Sequence, residues 1–169
     1  NKLFYEYDKK LKSVIQKNIT ISYLSNNSML QKSINTYYTH HGPIMANRNS
    51  KWISVKANNR SIKGIIQSWQ RTKAKGLADF TKSMELLANT SNNTVYADDM
   101  GNIAYWHGNY MPKRDPSLNW LHPVDGSTSK TEWNGIHSLS ELIQVKNPAT
   151  GWIQNCNSTP FTVSGSSSP

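Results

Sequence analysis

Cysteine occurs once in the 169 residues, at Cys156, so no disulfide within the chain can staple a small core. Phenylalanine is scarce, at three. Acidic residues number ten against nineteen Lys and Arg, leaving a formal net charge of +9. No stretch approaches the roughly eighteen consecutive apolar residues of a membrane-spanning helix, so no membrane span is expected. No signal-peptide pattern opens the sequence. Its first residue is Asn rather than Met, as expected of a processed or excised piece. The usual nucleic-acid signatures are missing as well: the basic residues (Lys9, Lys10, Lys12, Lys17; Arg71, Lys73, Lys75) come without zinc-finger spacing, an RNA-binding aromatic motif or a helix-turn-helix pattern. They read as a solvated surface, with no nucleic-acid partner. What remains is one polar segment of ordinary domain size, with 36% hydrophobic residues and six Trp and eight Tyr to anchor a core.

The hydrophobic period changes along the chain. "ITISYL" (Ile19 to Leu24) alternates as a strand does; "INTYYTHHGPIMA" (Ile34 to Ala46) reads as a second strand interrupted at Gly42-Pro43, and "KWISVKA" (Lys51 to Ala57) as a third after a turn at Asn47 to Ser50. These three predict an antiparallel meander. Ile62, Ile65, Ile66 and Trp69 then fall at helical spacing behind Ser61, a good N-cap. Leu77, Phe80, Met84 and Leu87 repeat that spacing after a break at Gly76, so two helices are expected within Ser61 to Asn89. "NTVYAD" and "NIAYWHG" return to strand, joined by a turn at "DDMGN", where Gly101 supplies a positive φ. Residues 110–132 read as loop. "GWIQN" (Gly151 to Asn155) is expected as a last short strand. The fold class is therefore α+β.

Nucleophile-and-base chemistry is hard to find. There is no Gly-x-Ser-x-Gly elbow, and no Ser-x-x-Lys reads as a catalytic pair. Metal-ligand spacings of the His-x-x-x-His or Cys-x-x-Cys kind are absent. The adjacent His40-His41 sit in an expected strand, where neighbours point to opposite faces, so they are not expected to clamp one metal. His41 reads as a hydrogen-bonded structural histidine, and Asp98 and Asp99 as turn residues. Side-chain amides remain. A rigid neutral amide is a good oxyanion donor, since it carries N–H groups and no charge. Asn155 and Asn157 fit that role; they fit equally the satisfaction of turn backbone groups, which residue chemistry alone favours.

Four stretches, in order, change this balance: "TYYTHHGPI" (Thr36 to Ile44), "QSWQRTKAKGLADF" (Gln67 to Phe80), "NTVYADDMGNIAYWHGNYMPKR" (Asn93 to Arg114) and "EWNGIHSLSELIQVKNPATGWIQNCNSTP" (Glu132 to Pro160). Together they resemble the penicillin acylase family of N-terminal-nucleophile hydrolases. "QNCNSTPF" resembles the acyl-homoserine-lactone and aculeacin acylase branch more than the penicillin G branch. The resemblance implies an αββα sandwich, of which 1–169 is a single segment internal to the large-subunit catalytic domain. It also implies hydrolysis of a small N-acyl amide by a serine whose own α-amine is the base. That serine, the backbone oxyanion donor and the small subunit lie outside these residues, so the piece alone is expected to be inactive. Carried over by position, Asn155 is the side-chain oxyanion donor, with Asn157 supporting the turn. Trp69 lines up with an acyl-pocket aromatic, although its place on the helix stripe equally suits core packing. No cofactor is implied for this chain. Some members bind calcium, toward which only the backbone near Pro116 would contribute. A periplasmic or secreted location follows from the family's habit.

A second reading is a secreted, aromatic-rich β module for glycans. Trp52, Trp106, Trp120 and Trp133 would form its stacking platform, and the Asn-x-Ser/Thr sequences would fit secretion.

Overall fold

The computed structural model describes residues 2–58, 61–89, 92–157 and 159–168. They group into two compact units, Asn1–Ala57 with Arg114–Glu132 and Asn58–Lys113 with Trp133–Pro169. The α+β class holds, with two helices and antiparallel sheets throughout.

The first unit is built on tight hairpins. β1 (Phe4–Tyr7) pairs with β2 (Lys10–Ser13), a hairpin that the sequence reading did not anticipate. β3 (Ile15–Ser25), β4 (Ser28–Thr39), β5 (Gly42–Arg48) and β6 (Lys51–Ser54) follow in sequential antiparallel order, as the expected meander. Three of the turns share one solution. Asp8 and Lys9 (φ 47° and 61°), Asn26 and Asn27 (47° and 59°), and Asn49 and Ser50 (51° and 60°) are all left-handed pairs. That backbone matches the right-handed twist of the flanking strands, and Asn and Asp tolerate it best after Gly. The break between β4 and β5 falls at His40-His41, two residues before the expected Gly42-Pro43. Gly42 instead opens β5, where a Cβ would lie 2.1 Å from the Val55 carbonyl oxygen.

Register sorts the long β3–β4 hairpin into two unlike faces. Asn18 bonds Asn35 (3.2 Å) and Thr20 bonds Ser33 (2.8 Å) across one face. Ile15, Ile19, Ile21 and Tyr23 meet Tyr38, Ile34, Lys32 and Leu30 across the other. The segment 114–132 is tied to the hairpins by side chains. Asp8 accepts from the Ser129 N–H (2.9 Å), and its own N–H reaches the Ser127 carbonyl (2.8 Å). Glu132 collects the Tyr7 hydroxyl (3.3 Å), His40 Nε2 (3.0 Å) and the Lys56 ammonium.

In the second unit α1 (Ile62–Arg71) begins behind Ser61, whose side chain accepts from the Lys63 N–H at 3.2 Å, the expected cap. α2 (Leu77–Met84) starts after Gly76. β7 (Thr94–Ala97), β8 (Ile103–Trp106) and β9 (Gln144–Lys146) form a sheet in that order. The β7–β8 turn is closed by the Asp98 carboxylate, which accepts from the N–H groups of Met100 (3.1 Å) and Asn102 (2.9 Å). Central β8 is buried on both faces. Ala104 and Trp106 pack with Met84, Leu77, Phe80, Tyr96 and Leu139, and Tyr105 packs with Val145, Val163 and Ile153.

Two expectations are corrected here. The apolar stripe of α1 is not its buried side: Ile65 is 69% exposed and Trp69 64%, while Gln67 is fully buried. Gln67 turns inward because backbone groups wait for it. Its Oε1 accepts from the N–H of Ala88 (2.9 Å) and Asn89 (3.1 Å), and its Nε2 donates to Asn109 Oδ1 (2.8 Å). Asn109, also fully buried, donates from Nδ2 to the Met84 carbonyl (2.9 Å). The second correction concerns "GWIQN", which forms no strand. Gly151 takes φ 73°, and one backbone bond, Gln154 N–H to the Val163 carbonyl (2.8 Å), replaces a ladder. The strand of this region is the earlier "QVK".

Two outcomes follow. Gln67→Leu strands buried N–H and amide groups, each worth about 1–3 kcal/mol when unmet, so denaturant unfolding should reveal a loss of at least about 2 kcal/mol. Gln70→Leu, on the exposed side of α1, should stay within about 0.5 kcal/mol. Equal effects would remove the buried amide pair from its structural role. The second outcome concerns acid. Burial alone would raise the Glu132 carboxyl, but hydrogen bonds from Lys56 and His40 and the charges of Lys56 and His41 outweigh it and hold the group at about 2. Burial chiefly, with the nearby His41 and Lys12, holds His40 below its ordinary 6.5. Both folded values are depressed, so both contributions are complete above the unfolded values, near 6.5 for His40 and 4.5 for Glu132, and fade as pH falls through the folded ones. Thermal midpoints of wild type should therefore fall more steeply than those of Glu132→Gln between pH 4.5 and about 2. Parallel curves would contradict the ion-pair account.

Candidate functional site

Asn155 follows the irregular "GWIQ" stretch and is half-buried. Its side chain ends a relay of amides. The Gly108 N–H donates to Asn93 Oδ1 (3.0 Å), which commits the other end of that amide, Nδ2, to Asn155 Oδ1 (3.2 Å). The carbonyl side of Asn155 is thereby engaged, and its Nδ2 has no hydrogen-bond partner among the described residues. A neutral amide fixed by its oxygen and presenting its N–H groups can donate to an anionic oxygen without reorganising. Gly108 owes its place to its neighbours: β8 ends at Trp106, the His107 N–H bonds the Ile143 carbonyl (2.9 Å), and the Asn109 side chain is clamped by Gln67.

The residues beyond turn the chain. Asn157 is exposed and left-handed (φ 56°), a geometry Asn adopts readily, and the lone cysteine beside it is exposed. Trp69 stands on the outward face of α1 with the Lys73 ammonium 4.7 Å from its ring centre, so core packing within this unit is not its role. The tryptophan platform does not form, since Trp106 is buried under α2 and Trp120 donates its Nε1–H to the Asp115 carbonyl at 2.7 Å. The Asp115 carbonyl that accepts this bond and Asp115 Oδ1, which accepts from the Ser117 N–H (2.9 Å), are both engaged beside Pro116.

The histidine pair also departs from expectation. His40 and His41 lie in a turn rather than a strand, so their rings fall on the same side, with centres 3.8 Å apart. Together with Glu132 they present three metal-ligating atoms within 4.8 Å of one another, in contrast to the opposite-face geometry expected of a strand. His41 does make the structural bond expected of it, through Nε2 to the Gly126 carbonyl at 2.8 Å. No sequence pattern singles out Asn93, Gln67, Asn109 or Glu132. The first three belong to an amide-rich sequence that offers many equivalents, and Glu132 is a lone acid whose partners come from distant segments.

The family model described as penicillin amidase matches residues 1–168. Penicillin G acylase of Escherichia coli is 32% identical over 101 residues, which are 60% of this chain and 12% of that protein. The solved structure of a thermostable penicillin G acylase from Alcaligenes faecalis, in its orthorhombic form, superposes with a TM-score of 0.79 at 22% identity, over 93% of this chain and 28% of that one. The chain thus spans a minor part of the length of either relative. With the family match running almost end to end, and the same fold in the solved relative, the chain belongs to the penicillin amidase family.

Proposed function

We propose that this chain is the part of an N-acyl amide hydrolase that supplies the side-chain oxyanion donor, Asn155, and a wall of the acyl pocket at Trp69. The observation that carries this reading is the Asn93–Asn155 bond at 3.2 Å, which leaves Asn155 Nδ2 as an unspent donor. When a serine attacks the substrate carbonyl, negative charge grows on its oxygen, and an amide N–H held in place before the event lowers that barrier. The serine, its α-amine and the small subunit belong to the remainder of the protein. Asn155 moves no proton and holds no covalent intermediate. Its role is to hold the oxyanion while the amide C–N bond breaks and the amine leaves. Trp69 suits the acyl side because its ring is accessible and apolar; penicillins and acyl-homoserine lactones are the substrate class. A periplasmic or secreted setting accompanies the reading.

In the full-length enzyme Asn155→Ala should lower kcat by about 10²–10³, the usual loss for one such donor, with little change in KM. Asn157→Ala should act on stability instead, by about 0.5–2 kcal/mol if its side chain serves the turn as a cap does. Kinetics and thermal unfolding on both variants decide the matter. A kcat for Asn155→Ala within a factor of about three of wild type, or a larger kcat loss at Asn157, would remove the assignment.

A further inference from the structure

We propose that His40, His41 and Glu132 form a binding site for a zinc-class divalent cation, a proposal that does not rest on the reading given for Asn155. The donor geometry carries the proposal. His40 Nε2 lies 3.0 Å from Glu132 Oε1, His41 Nδ1 lies 3.4 Å from the same oxygen, and all three donors fall within 4.8 Å of one another. Zinc held at about 2.0–2.2 Å by imidazole and carboxylate in a tetrahedron sets its ligand atoms roughly 3.3 Å apart. Small rotations of these side chains would reach that spacing. Imidazole nitrogens favour zinc, copper and nickel over calcium or magnesium.

The surrounding bonds prepare the nitrogens. The Gly126 carbonyl can only accept, so the bond at 2.8 Å places the His41 proton on Nε2 and leaves a lone pair on Nδ1. That lone pair faces a carboxylate oxygen. A metal ion between these two acceptors would be held by both. His40 has the matching arrangement: Tyr5 Oη lies 2.8 Å from Nδ1 and accepts the His40 backbone N–H at 3.0 Å. Without a metal ion His40 Nε2 donates to Glu132 Oε1 (3.0 Å); moving the imidazole proton to Nδ1, toward the Tyr5 oxygen, would free Nε2 to ligate. Carbonyl and hydroxyl partners on the distal nitrogens are the outer shell that orients metal-bound histidines.

Lys56 opposes the site. Its ammonium rests on Glu132 Oε2, and Lys12 lies over the Tyr7 ring nearby at 3.7 Å. Oε1 alone is needed, so Glu132 can ligate through one oxygen while the other stays with Lys56. The positive charge beside the ion should weaken binding, which makes Lys56 a diagnostic position.

The test uses the full-length protein, stripped with chelator and held in excess calcium so that oxygen-rich sites are filled. Titration with Zn²⁺ against a chromogenic chelator should find one site, and Co²⁺ should develop the visible absorption of a tetrahedral nitrogen–oxygen centre. His41→Ala and Glu132→Gln should lose both signals, while His122→Ala, at an exposed histidine outside the cluster, should keep them. Lys56→Met should bind Zn²⁺ at least about threefold more tightly, because a like charge is removed. That gain cannot arise from misfolding, so it decides the question even if His41→Ala fails to fold. Absence of zinc binding in the wild type, binding that survives His41→Ala, or unchanged or weaker binding in Lys56→Met would overturn the proposal.

Discussion

Two residues after β8, Gly108 and Asn109, constrain most of what the second unit does. The Asn109 side chain, fully buried, is held by Gln67 and holds the Met84 carbonyl, which fixes the end of α2 and the residues that follow it. The Gly108 N–H, one residue earlier, orients Asn93 and through it Asn155. A buried amide left unmet would cost about 1–3 kcal/mol, so this arrangement has few alternatives once the chain has collapsed. Structure and candidate chemistry therefore share one anchor.

Neutral amides carry this work, whereas the first unit relies on charge. There Glu132 binds Lys56, His40 and Tyr7 and thereby secures the segment 114–132 to the hairpins. The two devices respond differently to conditions. The Glu132 node weakens in acid because its carboxylate must stay ionised, held near 2 by Lys56 and His40 against the opposing effect of burial. The amide relay has no titrating group and should keep its geometry across that range. A donor that does not titrate suits a role in which charge appears only at the reacting oxygen.

Much of this architecture was legible in the sequence, and the exceptions have physical reasons. Turn chemistry at Asn49-Ser50 and Gly101, the N-cap Ser61 and the break at Gly76 were readable because each depends on local backbone preference. Asn155 was marked by its family motif, but the residue that aims it, Asn93, is set by a contact 62 positions away that no local pattern encodes. The α1 stripe misled for a similar reason. Periodicity finds the apolar side of a helix, yet the side that turned inward bears Gln67, because the backbone N–H groups of Ala88 and Asn89 required an acceptor there. "GWIQN" had the composition of a strand but found one ladder bond instead of a partner strand. A strand would put His40 and His41 on opposite faces, but the chain turns there.

The central claim is that Asn93 aims the Asn155 amide. Its most direct test is kcat of the full-length enzyme carrying Asn93→Asp, alone and together with Asn155→Ala. The carboxylate keeps an acceptor for the Gly108 N–H but no longer donates to Asn155 Oδ1, so the Asn155 amide should rotate and turn an N–H group toward residue 93. The account predicts a kcat loss approaching that of Asn155→Ala, about 10²-fold, and no further loss when the two changes are combined. An Asn93→Asp enzyme within a factor of about three of wild type, or losses that multiply in the double variant, would contradict it.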